Sequence, residues 1–251
     1  MQRFQHKVAV ITGGSSGIGF ATARALLREG AEVVLFATRA EGLAAAKAEL
    51  GARVHTVAGD VTQASDLDRL FAFVRERLGR IDVLFVNAGI AEFVAVEEVS
   101  EQHFERLFDV NVQGAFFTMQ KALPLLGPGS AVVLNTSVAN RVGARRTSVY
   151  AATKAALRSF ARTFSAELVP RGVRVNAVSP GPTESAIHGK YAKDMTPEQL
   201  AEMTQETMRR LPLSRLARAE EVASAVLYLA SSDAAFVLGQ ELVVDGGISA
   251  L

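Results

Sequence analysis

Neither cysteine nor tryptophan occurs in the chain. Without cysteine there can be no disulfide framework, thiol nucleophile or cysteine-ligated zinc, which fits a reducing compartment. Charge of one sign is also missing: a formal net charge of +1 sets up no overall field toward nucleic acid or a membrane surface. No apolar run approaches the roughly 18 uncharged residues of a membrane span. The opening M-Q-R-F-Q-H-K-V-A-V-I-T lacks an apolar segment followed by a small-residue cleavage site, so no signal peptide is expected. His6, His55, His103 and His188 are scattered without metal-ligand spacing, so no catalytic metal is expected either. Repeats, low-complexity tracts and linkers are absent. These exclusions leave a cytoplasmic protein without nucleic-acid or membrane partners, folded as a single domain over residues 1–251.

What is present is apolar sequence, 49% hydrophobic over 251 residues, enough for a substantial core. Lys7 to Thr12 is a short apolar run ending in T-G-G-S-S-G-I-G, Thr12 to Gly19. A helical pattern follows, with Gly30 placed to end it. Glycines at 13, 17 and 19 let the backbone turn sharply and approach a ligand. The helix N-terminus behind them offers free N–H groups and a positive dipole end. Such a corner suits a pyrophosphate; the alternative is a glycine turn that only packs helix on strand. Glu32 to Ala37 is a second strand, followed by Thr38 and Arg39. Many NAD-binding α/β units carry an acid near the end of this strand for the ribose hydroxyls. Here none comes before Glu41, and the planar fork of Arg39 suits a ribose phosphate. NADP(H) is favoured, with NAD(H) kept open.

A helix from about Glu41 to Leu50 leads to a strand, R-V-H-T-V-A, ending in Gly59-Asp60-Val61. Asp60 could accept from an adenine amine or cap the next helix. Ser65 to Leu78 is helical, with Leu67, Leu70, Phe71 and Val74 as its apolar face. Then I-D-V-L-F-V runs into Asn87-Ala88-Gly89. From about Glu101 to Leu126 runs a long helical pattern, with Phe104, Phe108, Val112, Phe116, Met119 and Leu123 on one face. Asn111 in its middle is either exposed or occupied, and Pro124 bends or ends the helix. Ala131 to Thr136 is the next strand, with Ser137 at its end. A helix from about Ser148 to Val169 carries Val149, Ala152, Ala156, Leu157, Phe160, Phe164 and Leu168 at helical spacing. V-R-V-N-A-V is another strand, ending in S-P-G-P-T. The more polar segment at about 184–213, with a helix start at Pro197, is set to cover a site. Glu220 to Ala230 is a short helix and Glu241 to Val244 a last strand. Strands alternating with crossover helices predict an α/β fold: a Rossmann-type, doubly wound parallel sheet of about seven strands with helices on both faces. Ligands in such sheets sit beyond the carboxyl ends of the strands, where Gly13, Ala37, Asp60 and Asn87 fall.

Tyr150 and Lys154 lie four residues apart near the start of a helix. That spacing puts them on one face with Cβ atoms roughly 5–6 Å apart, and an ammonium there favours phenolate. On spacing alone such a pair is commonly an exposed one.

In this order and spacing, the residues resemble the short-chain dehydrogenase/reductase family over essentially the whole chain. Thr12, Gly13, Gly17 and Gly19 are similar to its Thr-Gly-x-x-x-Gly-x-Gly signature, Asn87-Ala88-Gly89 to its Asn-Ala-Gly turn, and Asn111 to its helix-embedded Asn. Ser137, thirteen residues before Tyr150, and Lys154 complete its Ser, Tyr-x-x-x-Lys arrangement. Pro180-Gly181 resembles the step beside the nicotinamide. The resemblance implies an NAD(P)(H)-dependent oxidoreductase acting on a small carbonyl or secondary alcohol, with Asn111, Ser137, Tyr150 and Lys154 as catalytic residues. Tyr150 would move the proton, and Ser137 would hold the carbonyl oxygen. Lys154 would tune the phenol and bind the nicotinamide ribose, and Asn111 would join Lys154 to a water chain. Bringing a phenol from about 10 to about 7 takes roughly 4 kcal/mol, which Lys154 and the oxidised nicotinamide would supply.

Cofactor contacts are implied at Gly13, Ser15, Ser16, Gly17, Ile18, Gly19, Thr38, Arg39, Asp60, Val61, Asn87, Ala88, Gly89, Tyr150, Lys154, Pro180, Gly181 and Thr183. Two departures stand out. Ser16 occupies the place where NADP-dependent members often carry a basic residue, and Thr136-Ser137 replaces the frequent Ser-Ser pair. Arg145 and Arg146 could face an anionic substrate, an interface or solvent. A 3-ketoacyl-thioester (acyl-carrier) reductase and a non-catalytic dinucleotide-sensing module are the alternative functions. A homotetramer, or a homodimer, is implied by the resemblance, and the apolar stretch from Phe236 to Val244 suits an interface.

Overall fold

Alternate residues of a strand face opposite ways, and here both directions are apolar, so the strands must lie in a sheet covered on each side. In the computed structural model, which describes residues 2–184 and 196–251, this is what they do. The strands are β1 (Val8–Thr12), β2 (Glu32–Ala37), β3 (Val54–Ala58), β4 (Ile81–Val86), β5 (Leu126–Asn135), β6 (Arg174–Pro180) and β7 (Glu241–Val244). They form one seven-stranded sheet in the order β3-β2-β1-β4-β5-β6-β7, every pair parallel. The helices are α1 (Gly17–Arg28), α2 (Ala40–Leu50), α3 (Ala64–Arg77), α4 (Glu101–Phe108), α5 (Gly114–Ala122), α6 (Ser148–Leu168), α7 (Pro197–Arg210) and α8 (Ala219–Ala230).

Two cores result. Val10, Val34, Leu84 and Leu134 meet the helices α3, α5 and α6 on one face. Ile11, Leu35, Phe85 and Val133, one residue away in each strand, meet α1, α2 and α8 on the other. The expected face of α3, Leu67, Leu70, Phe71 and Val74, is buried, and each such side chain contributes about 2 kcal/mol by leaving water. Strand order reverses between β1 and β4, and that reversal opens a crevice at the carboxyl edge.

The long helix expected from Glu101 to Leu126 is broken. α4 stops at Phe108, a π-helical turn spans Asp109–Gln113, and α5 ends in a 3₁₀ turn, Leu123–Leu125, that contains Pro124. Its buried side is also not the expected one. His103, Leu107, Asn111, Ala115, Met119 and Ala122 point inward, whereas Phe104 and Phe117 are 45% and 39% exposed. Of the expected face only Met119 is fully buried. The cause is Asn111, whose three hydrogen bonds to the interior fix the rotation of the helix. A buried amide left unpaired costs more than a half-exposed phenylalanine. In α6 the inward stripe likewise includes polar residues, Thr153, Lys154 and Ser165, while Ala152 is exposed.

Candidate active site

The crevice is a cleft of about 700 Å³, well within the range that holds a small ligand. Its first wall is the glycine corner between β1 and α1. Gly13 has a left-handed φ of 66°, and a Cβ there would come within 3.0 Å of Ala88 Cα. A Cβ on Gly19 would lie 2.4 Å from the Gly13 carbonyl oxygen, so Gly19 serves to seat α1 against the loop. The Ser16 side chain makes no cap bond at the start of α1. The first N–H groups of the helix therefore stay available to an anion, and Gly17 and Ile18 line the cleft.

Side chains stitch the strand ends together behind this wall. Asn87 N and Ala88 N both donate to Thr12 Oγ1 at 3.0 Å. Asn87 Nδ2 donates to the carbonyls of Thr12 and Gly13 at 3.0 and 3.1 Å, and Asn87 Oδ1 accepts from Asn135 Nδ2 at 2.8 Å. The Asn87 side chain thus holds β1, β4 and β5 in register. Thr38, Arg39, Asp60 and Val61 line the far end of the cleft. Arg39 makes no ion pair among the described residues, while Asp60 Oδ1 accepts from Thr62 N at 2.9 Å.

At the near end the cleft is lined by Ser137, Tyr150, Lys154, Pro180, Gly181 and Thr183. Lys154 is 4% exposed, sits 5.7 Å from the Tyr150 ring centroid, and donates to the Asn135 carbonyl at 2.8 Å. Burial alone lowers its pKa to about 8. Burial pushes the Tyr150 phenol above its usual value, and hydrogen bonding with the Ser137 hydroxyl acts in the opposite sense. The protein's own groups therefore do not lower the phenol as the i, i+4 spacing leads one to expect. Desolvation outweighs the Ser137 hydrogen bond.

Of the expected site residues, Gly19 and Asn111 do not line the cleft. Asn111 is fully buried. Its Nδ2 donates to Ile90 O at 2.8 Å and Thr153 Oγ1 at 3.1 Å, and its Oδ1 accepts from Ile90 N at 2.8 Å. Thr153 Oγ1 in turn donates to the Tyr150 carbonyl at 2.7 Å. Both amide hydrogens are engaged, so the side chain clamps the segment after Asn87-Ala88-Gly89 onto α6.

Arg145 lines the cleft without an ion pair among the described residues. Arg146 has a left-handed φ of 64°. Its carbonyl accepts from Val94 N at 2.9 Å and its guanidinium lies 3.7 Å from Glu98, which ties it to a neighbouring loop. Of the covering segment at about 184–213, α7 brings Glu202, Glu206, Thr207 and Arg210 to the cleft. Residues 185–195, His188 among them, lie outside the described residues.

Three residues of the site went unremarked in the sequence. Asn135 anchors Lys154 through its carbonyl, and a polar residue closing an apolar strand was the available signal. Thr153 links Asn111 to Tyr150. Phe93 packs edge-on to the Tyr150 ring, centroids 5.9 Å apart, and nothing local marks it.

The chain is similar to known proteins over nearly its whole length. A family model described as enoyl-(acyl carrier protein) reductase matches residues 13–249. The chain is 39% identical to Oxidoreductase asL5 of Sarocladium schorii, over 99% of this chain and 98% of that one. It is 34% identical to the sorbitol dehydrogenase of Cereibacter sphaeroides, over 98% of each. A crystal structure of levodione reductase superposes with a TM-score of 0.93 at 33% identity, covering 98% of this chain and 99% of that one.

Proposed function

The chain belongs to the short-chain dehydrogenase/reductase family, as an alcohol dehydrogenase or ketoreductase, and we propose that it transfers a hydride between NADP(H) and a carbonyl or secondary-alcohol carbon of a small molecule. One observation carries the reading: Ser137, Tyr150 and Lys154 share a single cleft with the uncapped N-terminus of α1. That corner fits a dinucleotide, since helix N–H groups and close-approach glycines meet where a pyrophosphate needs donors.

Gly13, Ser15, Ser16, Gly17 and Ile18 would hold the pyrophosphate, and Asp60 and Val61 the adenine. The Asn87-Ala88-Gly89 turn, Tyr150, Lys154, Pro180, Gly181 and Thr183 would flank the nicotinamide riboside. When bound, the nicotinamide supplies or accepts the hydride. In reduction, negative charge develops on the substrate oxygen. The Ser137 hydroxyl donates to that oxygen, and the Tyr150 phenol gives it a proton; in oxidation the phenolate takes the proton back. The Lys154 ammonium, held by Asn135, favours the phenolate through its charge. Asn111 acts by positioning.

The preference for NADP(H) rests on the end of β2, where Ala37, Thr38 and Arg39 offer a guanidinium and no carboxylate. Ile90, Phe93, Val138, Val142 and Ile248 line the cleft and favour a substrate with an apolar flank. A carrier-bound 3-ketoacyl thioester is the second reading, favoured by Arg145 and Arg210 at the cleft, which would meet an acidic carrier. Activity on such a thioester without activity on simple ketones would select it. The reading also takes α7 as the cover of the site, the enzyme as cytoplasmic, and its working form as a homotetramer.

The test is Tyr150→Phe, with turnover followed by NADPH consumption and cofactor affinity by fluorescence titration. Turnover should fall on the order of 10³-fold, the scale of general acid catalysis, with NADPH binding retained. Undiminished turnover in Tyr150→Phe would refute the assignment.

A further inference from the structure

The side chain of Glu241, at the start of the edge strand β7, is 4% exposed. A buried carboxylate needs donors on both oxygens, and this one has them. Oε1 accepts from Asn140 Nδ2 at 2.7 Å and lies 2.7 Å from Thr136 Oγ1. Oε2 accepts from Arg141 Nε at 2.8 Å and pairs with Arg158 Nε at 3.3 Å.

The partners are not scattered. Thr136, Asn140 and Arg141 bracket Ser137, and Asn140 Nδ2 also donates to the Ser137 carbonyl at 2.6 Å. Arg158 lies on α6 one turn beyond Lys154 and two beyond Tyr150, and its Nη1 reaches Asn140 Oδ1 at 3.4 Å. One carboxylate therefore joins the loop that carries Ser137 to the helix that carries Tyr150 and Lys154. Without it, that loop would keep few side-chain ties to α6.

We propose that Glu241 is a positioning residue for the reaction, which sets the Ser137 hydroxyl against the Tyr150 phenol by holding the loop 136–141 onto α6. The inference rests on the reading of Ser137 and Tyr150 given above. Glu241 itself does not line the cleft and touches no reacting atom.

The experiment is a double-mutant cycle of Glu241→Gln and Ser137→Ala in the full-length enzyme. The assay uses NADPH with cyclohexanone, 2,3-butanedione and ethyl acetoacetate, and NADPH affinity is measured beside it. Glu241→Gln should lower kcat on the order of tenfold to 10²-fold, the cost of a small misplacement of a reacting group. KM and affinity for NADPH should stay within about twofold. In the Ser137→Ala background, Glu241→Gln should change kcat by less than about twofold, because its route of action is already gone. Equal losses in both backgrounds would mark Glu241 as merely structural and overturn the inference. If Ser137→Ala has no effect, or no ketone is reduced by the unaltered enzyme, the reading of the site falls first. Asn140→Ala cuts the bridge to the Ser137 carbonyl while leaving both arginine pairs. Should Glu241→Gln not fold, that variant must show the same dependence on Ser137, and independence from Ser137 would overturn the inference.

Discussion

The Lys154 ammonium donates at 2.8 Å to the carbonyl of Asn135, the last residue of β5, rather than to the phenol one turn away. That single bond pins a buried cation at the mouth of the sheet. The amine titrates at about 8 instead of 10.5 because water is excluded. Since the folded value is the lower one, the cost of burying the charge is full below pH 8, where both folded and unfolded chains are protonated. From pH 8 upward the unfolded chain binds more protons than the folded one, so stability rises with pH, by about 3 kcal/mol in total once pH passes 10.5. Urea unfolding of the cofactor-free protein between pH 8 and 10 should show this rise. Lys154→Met should remove it and should be the more stable chain at pH 7. Parallel pH profiles for the two proteins would contradict the assignment of the cost to Lys154.

Arg39 stands where β2 gives way to α2, exposed and without an ion pair among the described residues. If it holds a 2′-phosphate, its loss removes a charge-assisted hydrogen bond worth about 2 kcal/mol, or roughly 30-fold in affinity. Comparing kcat/KM for NADPH and NADH in Arg39→Ala reads this directly. NADPH use should fall by about that factor while NADH use stays nearly level. Equal changes for both cofactors would discard the preference for NADP(H).

How far these features could be read beforehand depended on the range of the force behind each. The glycine corner, the strand ends and the Tyr150–Lys154 pair were legible because turns, alternation and helical spacing are local. The rotation of α4 and α5 was not. A phenylalanine stripe of helical period lost to one asparagine, because Asn111 finds its partners at Ile90 and Thr153, far away in sequence. The anchor of Lys154 was equally hidden, since a backbone carbonyl leaves no mark in composition. Glu241 opens a strand otherwise apolar. Its burial is legible only when Asn140, Arg141 and Arg158 are brought round it by the crossover of α6.

The outward turn of that phenylalanine stripe bears on assembly. Phe104 and Phe108 stack with centroids 4.5 Å apart on the surface of α4, and Phe116 and Phe117 continue the patch beside Phe160. A second apolar area lies by the edge strand β7, where Phe236 is fully exposed and Leu238 is 40% exposed. Aromatic patches of this kind are typical of contacts between copies. If each patch met its own copy across a two-fold axis, the two together would build a closed tetramer of dihedral symmetry. Light scattering on the unaltered protein should then give four times the 26.7 kDa chain mass. Phe104→Ser with Phe117→Ser should leave dimers joined at the β7 edge. Phe236→Ser should leave dimers joined through α4 and α5, and all three changes together should leave monomers. An unaltered protein that runs as a monomer would refute the assembly, and tetramers that survive each lesion would move the interfaces elsewhere.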